Sequence, residues 1–149
     1  MNITFTNNED CAPASAETIT SFEQAHRLTL PSDYRAFLLR SSGGAPSPCW
    51  SAFGRDGDFV AYLYGIHDGA EWKRLSHAIE EFRHDLSLFL PVAVSNGGNY
   101  FLLRLAKPNR GAVYFWDHEL EGFDPPTFDS VICVSDSFSS WLNGLQEDP

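Results

Sequence analysis

The sequence predicts an α+β fold in which N-terminal, middle and C-terminal helices flank a central, mostly antiparallel sheet. Apolar residues recur at intervals of three and four near both chain ends and in the middle, which is typical of amphipathic helices. Between residues 90 and 116, short β-branched and aromatic runs alternate with turn-forming segments, which is typical of consecutive strands. Because 43% of the 149 residues are hydrophobic, we expect a single domain over residues 1–149 that opens with a polar leader over residues 1–14.

Three helices are predicted in the first half of the chain. Ser15 is placed to cap the first helix, and Ile19 and Phe22 form its apolar side. A second helix begins at Pro31 and ends at the glycines at 43–44. A third, longer helix follows the turn at residues 68–69. The apolar stripes of the second and third helices are Tyr34, Phe37 and Leu38, and Trp72, Leu75, Ile79, Phe82 and Leu86.

Strands dominate the remaining predicted structure. The Pro-, Ser- and Gly-rich segment at 45–57 predicts an irregular loop that carries Trp50 and Phe53, and a strand follows it at 59–64. Further strands are predicted at 90–94, 100–105, 113–116 and, as a short edge strand, 131–134. Tight turns between the middle strands imply an antiparallel meander. A terminal helix, capped by Asp136 or Ser137, presents Phe138, Trp141, Leu142 and Leu145 on one side.

The charge of the chain restricts its partners. Twenty acidic and ten basic residues give a net charge of −10, which disfavours direct binding of nucleic acid or anionic membranes. Arg110 is the last basic residue, and eight acidic residues follow it. This C-terminal quarter is explained either as a solvated surface that keeps the protein soluble or as a docking face for a basic partner.

No cofactor, metal or targeting segment is expected. Cys11, Cys49 and Cys133 are odd in number and widely spaced, so they indicate reduced thiols rather than disulfides or a zinc site. The N-terminus lacks a signal-peptide pattern, and no apolar run is long enough to span a membrane. We therefore expect a cytoplasmic protein that is a monomer or a weak homodimer.

Several segments, taken in order, resemble the SUKH (Smi/Knr-type) superfamily. Residues 30–38 match its Leu-Pro-x-x-Tyr-x-x-Phe-Leu helix, and residues 42–44 match its Asn-Gly-Gly stop with Ser42 in place of Asn. Residues 90–99 are similar to the family's sheet turn, 113–119 to its acidic-aromatic strand end and 136–142 to its closing helix. The resemblance implies a non-enzymatic α+β protein-binding domain. Many bacterial members resemble immunity proteins that neutralise polymorphic toxins, often nucleases, whereas fungal members resemble regulatory scaffolds.

Patterns for catalysis or metal binding are weak. His77, Glu81 and His84 share a side of the third predicted helix but lack the i, i+4 histidine pair that zinc sites favour. Neither Cys49 nor Cys133 lies in a nucleophile motif. An uncharacterised enzyme would require a pocket with perturbed titratable groups, and remains the less favoured alternative, together with a scaffold.

The preferred hypothesis is an immunity protein that binds a basic toxin through an acidic surface. Predicted charged contacts are Asp117, Glu119, Glu121 and Asp124, and predicted aromatic anchors are Trp50 and Phe123. Phe53 and Trp116 are further anchor candidates. Each aromatic residue has a core interpretation as well, and for Trp116 the core interpretation is the simpler one.

Overall fold

The computed structural model describes residues 3–83, 85–119 and 126–147. It confirms the α+β prediction. The helices in these residues are α1 (Ala16–His26), α2 (Ser32–Arg40), α3 (Leu75–Phe82) and α4 (Phe138–Asn143), with a 3₁₀ helix at Glu71–Lys73. The strands are β1 (Thr4–Thr6), β2 (Ala45–Ser47), β3 (Trp50–Phe53), β4 (Asp56–Leu63), β5 (Phe89–Ser95), β6 (Tyr100–Arg104), β7 (Val113–Trp116) and β8 (Ile132–Ser135).

The strands β3 to β8 form one six-stranded antiparallel meander in chain order, while β1 and β2 pair separately. Short turns join β3 to β4, β5 to β6 and β6 to β7, whereas the connection from β4 to β5 carries the 3₁₀ helix and α3. In the hairpin between β5 and β6, Gly98 has a φ of 83°, which glycine adopts without steric cost. The predicted meander is therefore confirmed.

One face of the sheet is covered by α2 and α4 through a cluster of aromatic rings, and α1 packs on α2. The ring of Phe138 lies 4.8 Å from that of Tyr34 and 5.1 Å from that of Phe37. Trp141 packs 5.1 Å from Phe101 in the middle of the sheet. All five side chains are buried, and truncating such a ring typically costs about 3–5 kcal/mol. The helices are thus held to the sheet mainly by aromatic packing.

A second cluster lies on the opposite face of the sheet and includes Trp116, which is only 3% exposed. The core interpretation of Trp116 is therefore confirmed. Beside this cluster, the buried guanidinium of Arg104 lies 4.9 Å from the ring centre of Phe89 and 4.4 Å from that of Phe128. Its Nε donates to the carbonyl of Ala106 at 3.0 Å, so this cation stabilises the hairpin after β6.

The sheet curls until its two end strands meet. β3 and β8 contact each other although they lie at opposite ends of the strand order. At one end of this seam, Trp50 and Gln146 exchange backbone hydrogen bonds of 2.9 and 2.8 Å, and the indole of Trp141 donates to Ser51 at 3.0 Å. At the other end, the ring of Phe53 stacks on Phe115 with centres 4.7 Å apart.

The structure corrects two sequence predictions. Residues 45–57 are not an irregular loop, because they contain β2, β3 and the start of β4, and the ring pair Trp50–Phe59 spans the β3–β4 hairpin at 4.8 Å. The third helix is shorter than predicted, because the Leu75 N–H donates to the Gly65 carbonyl at 2.8 Å and interrupts the helix before it. Trp72 therefore lies in the 3₁₀ helix rather than on the core stripe.

The segment predicted as a polar leader packs against the rest of the domain. It contains β1, and Cys11 and Ala14 are buried. The Asp10 carboxylate accepts hydrogen bonds of 2.7 Å from the buried ammonium of Lys73 and from the Ala70 N–H. A Cβ at Gly69 would lie 2.6 Å from the Asp10 carbonyl oxygen, so this close approach requires glycine.

The buried hydroxyl of Tyr34 generates the first prediction. Its side chain is fully buried, and the hydroxyl has no hydrogen-bond partner among the described residues. An unsatisfied buried hydroxyl destabilises the folded state by about 1–3 kcal/mol. Because Tyr34→Phe removes this group, it should raise the free energy of unfolding by about 1 kcal/mol in urea denaturation. The control Tyr34→Ala removes the ring as well and should lower the free energy of unfolding by about 3–5 kcal/mol. A less stable Tyr34→Phe protein would contradict this account.

The Asp10–Lys73 pair makes the stability of the fold depend on pH. The hydrogen bond from Lys73, followed by that from Ala70, holds the pKa of Asp10 well below its usual range, and the same pair raises the pKa of Lys73. A depressed carboxyl pKa stabilises the fold above the unfolded-state value of about 4, and this stability is lost as the pH falls through the folded-state pKa. The raised Lys73 pKa adds stability that persists until the pH rises past about 10.

We therefore expect Asp10→Asn to lower the thermal midpoint at pH 7, because it removes a charge partner from a buried ammonium. The difference from the unaltered protein should shrink as the pH is lowered below about 4. This difference in thermal midpoint is measured by circular dichroism during thermal unfolding at several pH values between 2 and 8. Glu9→Gln, at the exposed neighbouring carboxylate, is the control and should leave the midpoint nearly unchanged. An undiminished Asp10→Asn difference at pH 2 would refute the assignment.

Candidate functional site

The predicted charged contacts fall at the end of β7. Asp117 is half-buried there and Glu119 is exposed, and the Glu119 N–H donates to the Asp117 carboxylate at 3.0 Å. Glu121, Phe123 and Asp124 lie outside the described residues. Two of the predicted acidic contacts are thus placed next to each other, and their role in binding stays a prediction.

A cleft opens beside Asp117, at the end of the seam where β3 and β8 separate. Its volume is about 380 Å³. The described residues that line it are Phe53, Asp56, Phe115, Asp117, Asp129, Ser130, Val131 and Ile132. Three of them are carboxylates, and none of these described lining residues is a lysine, an arginine or a histidine. We call this feature the seam cleft.

Three separate segments bring the carboxylates to the seam cleft. Asp56 begins β4 just after the turn of the β3–β4 hairpin, and its carboxylate accepts from the Gly57 N–H at 2.9 Å. Asp117 directly follows β7. Asp129 belongs to a turn before β8 that is closed by the Thr127 N–H, which donates to the Ser130 hydroxyl at 2.7 Å. Asp117 and Asp129 flank the neighbouring strands β7 and β8, and the curl of the sheet adds Asp56 to the same cleft by bringing β3 beside β8.

The floor of the seam cleft is apolar. Phe115 is buried in the main core, and Phe53, stacked on it, is half-buried. Ile132 is 50% exposed, so the cleft offers uncovered aliphatic surface to a partner. An apolar floor beneath a carboxylate rim suits contact with a positively charged protein surface rather than with a phosphate.

The predicted anchor Trp50 lies in β3, away from the lining of the seam cleft. It is half-buried, and its ring packs edge-on against Phe59 at 4.8 Å. Its backbone exchanges hydrogen bonds with the backbone of Gln146, which follows α4. These contacts explain Trp50 as part of the fold, and no observation tests it as a contact for a partner. Phe53, which the sequence also suggests as an anchor, does line the seam cleft.

Trp72 is a surface residue that the sequence reasoning misses. It is 51% exposed, although its spacing from Leu75 predicts a core position. Its ring is fixed by Tyr62 at 5.1 Å and by the ammonium of Lys73 at 5.4 Å. Only the break in the helix before Leu75 turns Trp72 outwards, and periodicity does not reveal that break. Exposed tryptophan side chains are enriched among the residues that contribute most to protein–protein binding.

In the described part of the chain, no group of three or more His, Cys, Asp or Glu side chains is placed to hold a metal ion. His77 lies 3.5 Å from Glu71 and 3.7 Å from Glu81, so this histidine is flanked by two exposed carboxylates. His84, the third residue of this weak sequence pattern, lies outside the described residues.

Comparison with known proteins identifies the family. The chain is similar to an SPbeta prophage-derived uncharacterized protein, YokK, of Bacillus subtilis (strain 168), with 25% identity over 140 residues that cover 80% of this chain and 68% of that protein. None of the described helices combines the length and the apolar character that crossing a membrane requires. The family model for SMI1 / KNR4 (SUKH-1) matches residues 13–144, which is most of the chain. The chain therefore belongs to the SMI1/KNR4 family, SUKH-1.

Proposed function

We propose that this chain is a non-enzymatic immunity protein that binds and neutralises a basic protein toxin in the cytoplasm. Family membership is consistent with an immunity-type protein. The observation that carries the proposal is the seam cleft, which three carboxylates and four apolar side chains line without a basic residue in the described lining. The absence of any Lys or Arg after Arg110 extends the same charge across the C-terminal quarter.

The proposed mechanism is occlusion. A toxin that cleaves nucleic acid needs lysine and arginine side chains to hold phosphate groups. A folded surface with carboxylates at fixed positions competes for those cations without itself being a substrate. Long-range attraction mainly accelerates the encounter, while the buried contacts determine how slowly the complex dissociates.

The geometry supports a binding role more than a catalytic one. The described lining of the seam cleft holds carboxylates, a serine and apolar side chains, without a histidine or cysteine to act as nucleophile or base. The Ser130 hydroxyl, which is buried with its residue 8% exposed, is engaged by the backbone of its own turn. These hydrogen bonds explain Ser130 by a structural role, the closing of its turn, and do not require a catalytic one.

Co-expression with the product of a neighbouring toxin-like reading frame tests the proposal. The unaltered chain should restore growth and co-purify with the toxin. Growth restored without co-purification would contradict direct binding, and co-purification without restored growth would favour a scaffold role. Trp72→Ala provides an additional arm, because loss of rescue with this variant would place the principal contact around the 3₁₀ helix instead of at the C-terminal surface.

Charge neutralisation gives a kinetic prediction. Replacing Asp117, Glu119 and Glu121 with Asn, Gln and Gln should slow association with the toxin by about tenfold at low ionic strength and flatten its salt dependence, because electrostatic steering is reduced. Stopped-flow or surface-plasmon measurements at several salt concentrations record both effects.

The matched control neutralises three acids of another surface, with Glu80→Gln, Glu81→Gln and Asp85→Asn at and just after α3. This variant has the same net charge as the first. A similar slowing in both variants would indicate that only overall charge matters. A larger slowing in the control would place the docking face near α3 and refute the proposed one.

A further inference from the structure

We propose that the seam cleft binds one long basic side chain, an arginine or a lysine, that projects from the partner protein. This inference rests on the proposed function and specifies the chemistry of its contact. The occupant would be a side chain with an aliphatic stem and a cationic tip, which is the one common type that matches both an apolar floor and an acidic rim.

The apolar part of the seam cleft fits the stem. Phe53 and Phe115 present stacked rings, and Val131 and Ile132 stand beside them. Ile132 is half exposed, so covering it removes apolar surface from water and is favourable by about 25 cal/mol per Å². Methylene groups of a lysine or arginine would also gain dispersion contacts with the two rings.

The rim fits the charged tip. Asp56, Asp117 and Asp129 reach the seam cleft from a hairpin, a strand end and a turn, so its lining carries three negative charges on three separate segments. Backbone N–H groups occupy one oxygen each of Asp56 and Asp117 at 2.9 and 3.0 Å. These bonds orient the carboxylates, and within the described part of the chain the second oxygen of each accepts no hydrogen bond that would compete with a cation.

Other occupants fit less well. A purely apolar side chain would cover the carboxylates without replacing their hydrogen bonds to water, which is costly. An acidic side chain or a phosphate would be repelled. Arg55, the neighbour of Asp56, is exposed and does not belong to the described lining, so it does not occupy the place of the partner's cation.

The seam cleft is formed before any partner arrives. The Phe53–Phe115 stack fixes its floor, and the Trp50–Gln146 backbone bonds together with the Trp141–Ser51 bond close the far end of the seam. A preformed site loses little conformational entropy on binding, which favours affinity for even a single side chain.

The test uses three tripeptides with blocked ends, Gly-Arg-Gly, Gly-Lys-Gly and Gly-Gln-Gly, titrated into the ¹⁵N-labelled full chain. The arginine and lysine peptides should shift the amide signals of residues 115, 131 and 132 with dissociation constants in the millimolar range, on the order of 1 mM. The glutamine peptide should not. Comparison of the first two peptides decides whether the guanidinium or the ammonium is preferred.

Variants assign the shifts to the seam cleft. Asp117→Asn with Asp129→Asn should weaken binding of the basic peptides at least fivefold. Asp85→Asn with Asp136→Asn, which removes the same charge from exposed positions outside the described lining, should leave it nearly unchanged. Thermal midpoints measured for both double variants verify that each is folded. Equal shifts with the glutamine peptide, or equal weakening in both double variants, would overturn the inference.

The same variants separate this inference from the proposed function. If Asp117→Asn with Asp129→Asn still neutralises the toxin as well as the unaltered chain does, the seam cleft is not the contact, although the immunity role stands. If the unaltered chain fails to neutralise or bind the toxin, the immunity role falls, and the peptide titration still decides whether the seam cleft binds a basic side chain.

Discussion

Covering the aromatic face of the sheet is the constraint on which the rest of the structure depends. Phe101 and Phe115 lie on that face, and α2 and α4 meet over it through Tyr34, Phe37 and Phe138. The helix α4 follows β8 directly, and the residues after it pair with β3 through Gln146. Because one short helix is attached to both end strands, seating it on the core draws the two edges of the sheet together. The curl, the seam and the seam cleft all follow from that attachment.

Local patterns predict the elements whose causes are local. Ser15 accepts from the Thr18 N–H and Ser137 from the Ser140 N–H, so the predicted caps of α1 and α4 are confirmed, with Ser137 rather than Asp136 as the latter cap. The meander is predictable because its turns lie between adjacent strands. The break before α3 is not, since it arises from a backbone pairing of Gly65 with Leu75 that no spacing records. The same holds for β2 and β3, whose proline- and serine-rich sequence resembles a loop.

The candidate site is only partly predictable for the same reason. The acidic character of the C-terminal quarter can be read directly from composition, and Asp117 is identified in this way. Asp56 and Asp129 lie 73 positions apart in the sequence, and their convergence depends on the curl of the sheet. Trp72 is missed because it satisfies a helical period in a helix that does not extend so far. The sequence indicates the chemistry of these residues, but it does not indicate the long-range strand pairing that brings them together.

The position of the acidic rim has an evolutionary consequence. Asp56, Asp117 and Asp129 stand at a hairpin, a strand end and a turn, outside the interlocked rings that hold the helices to the sheet. Substitution at these places changes the charge of the surface while leaving the packing of Tyr34 or Phe138 untouched. Surface chemistry and foldability are thereby largely uncoupled, so these three positions are free to vary in evolution without loss of the fold.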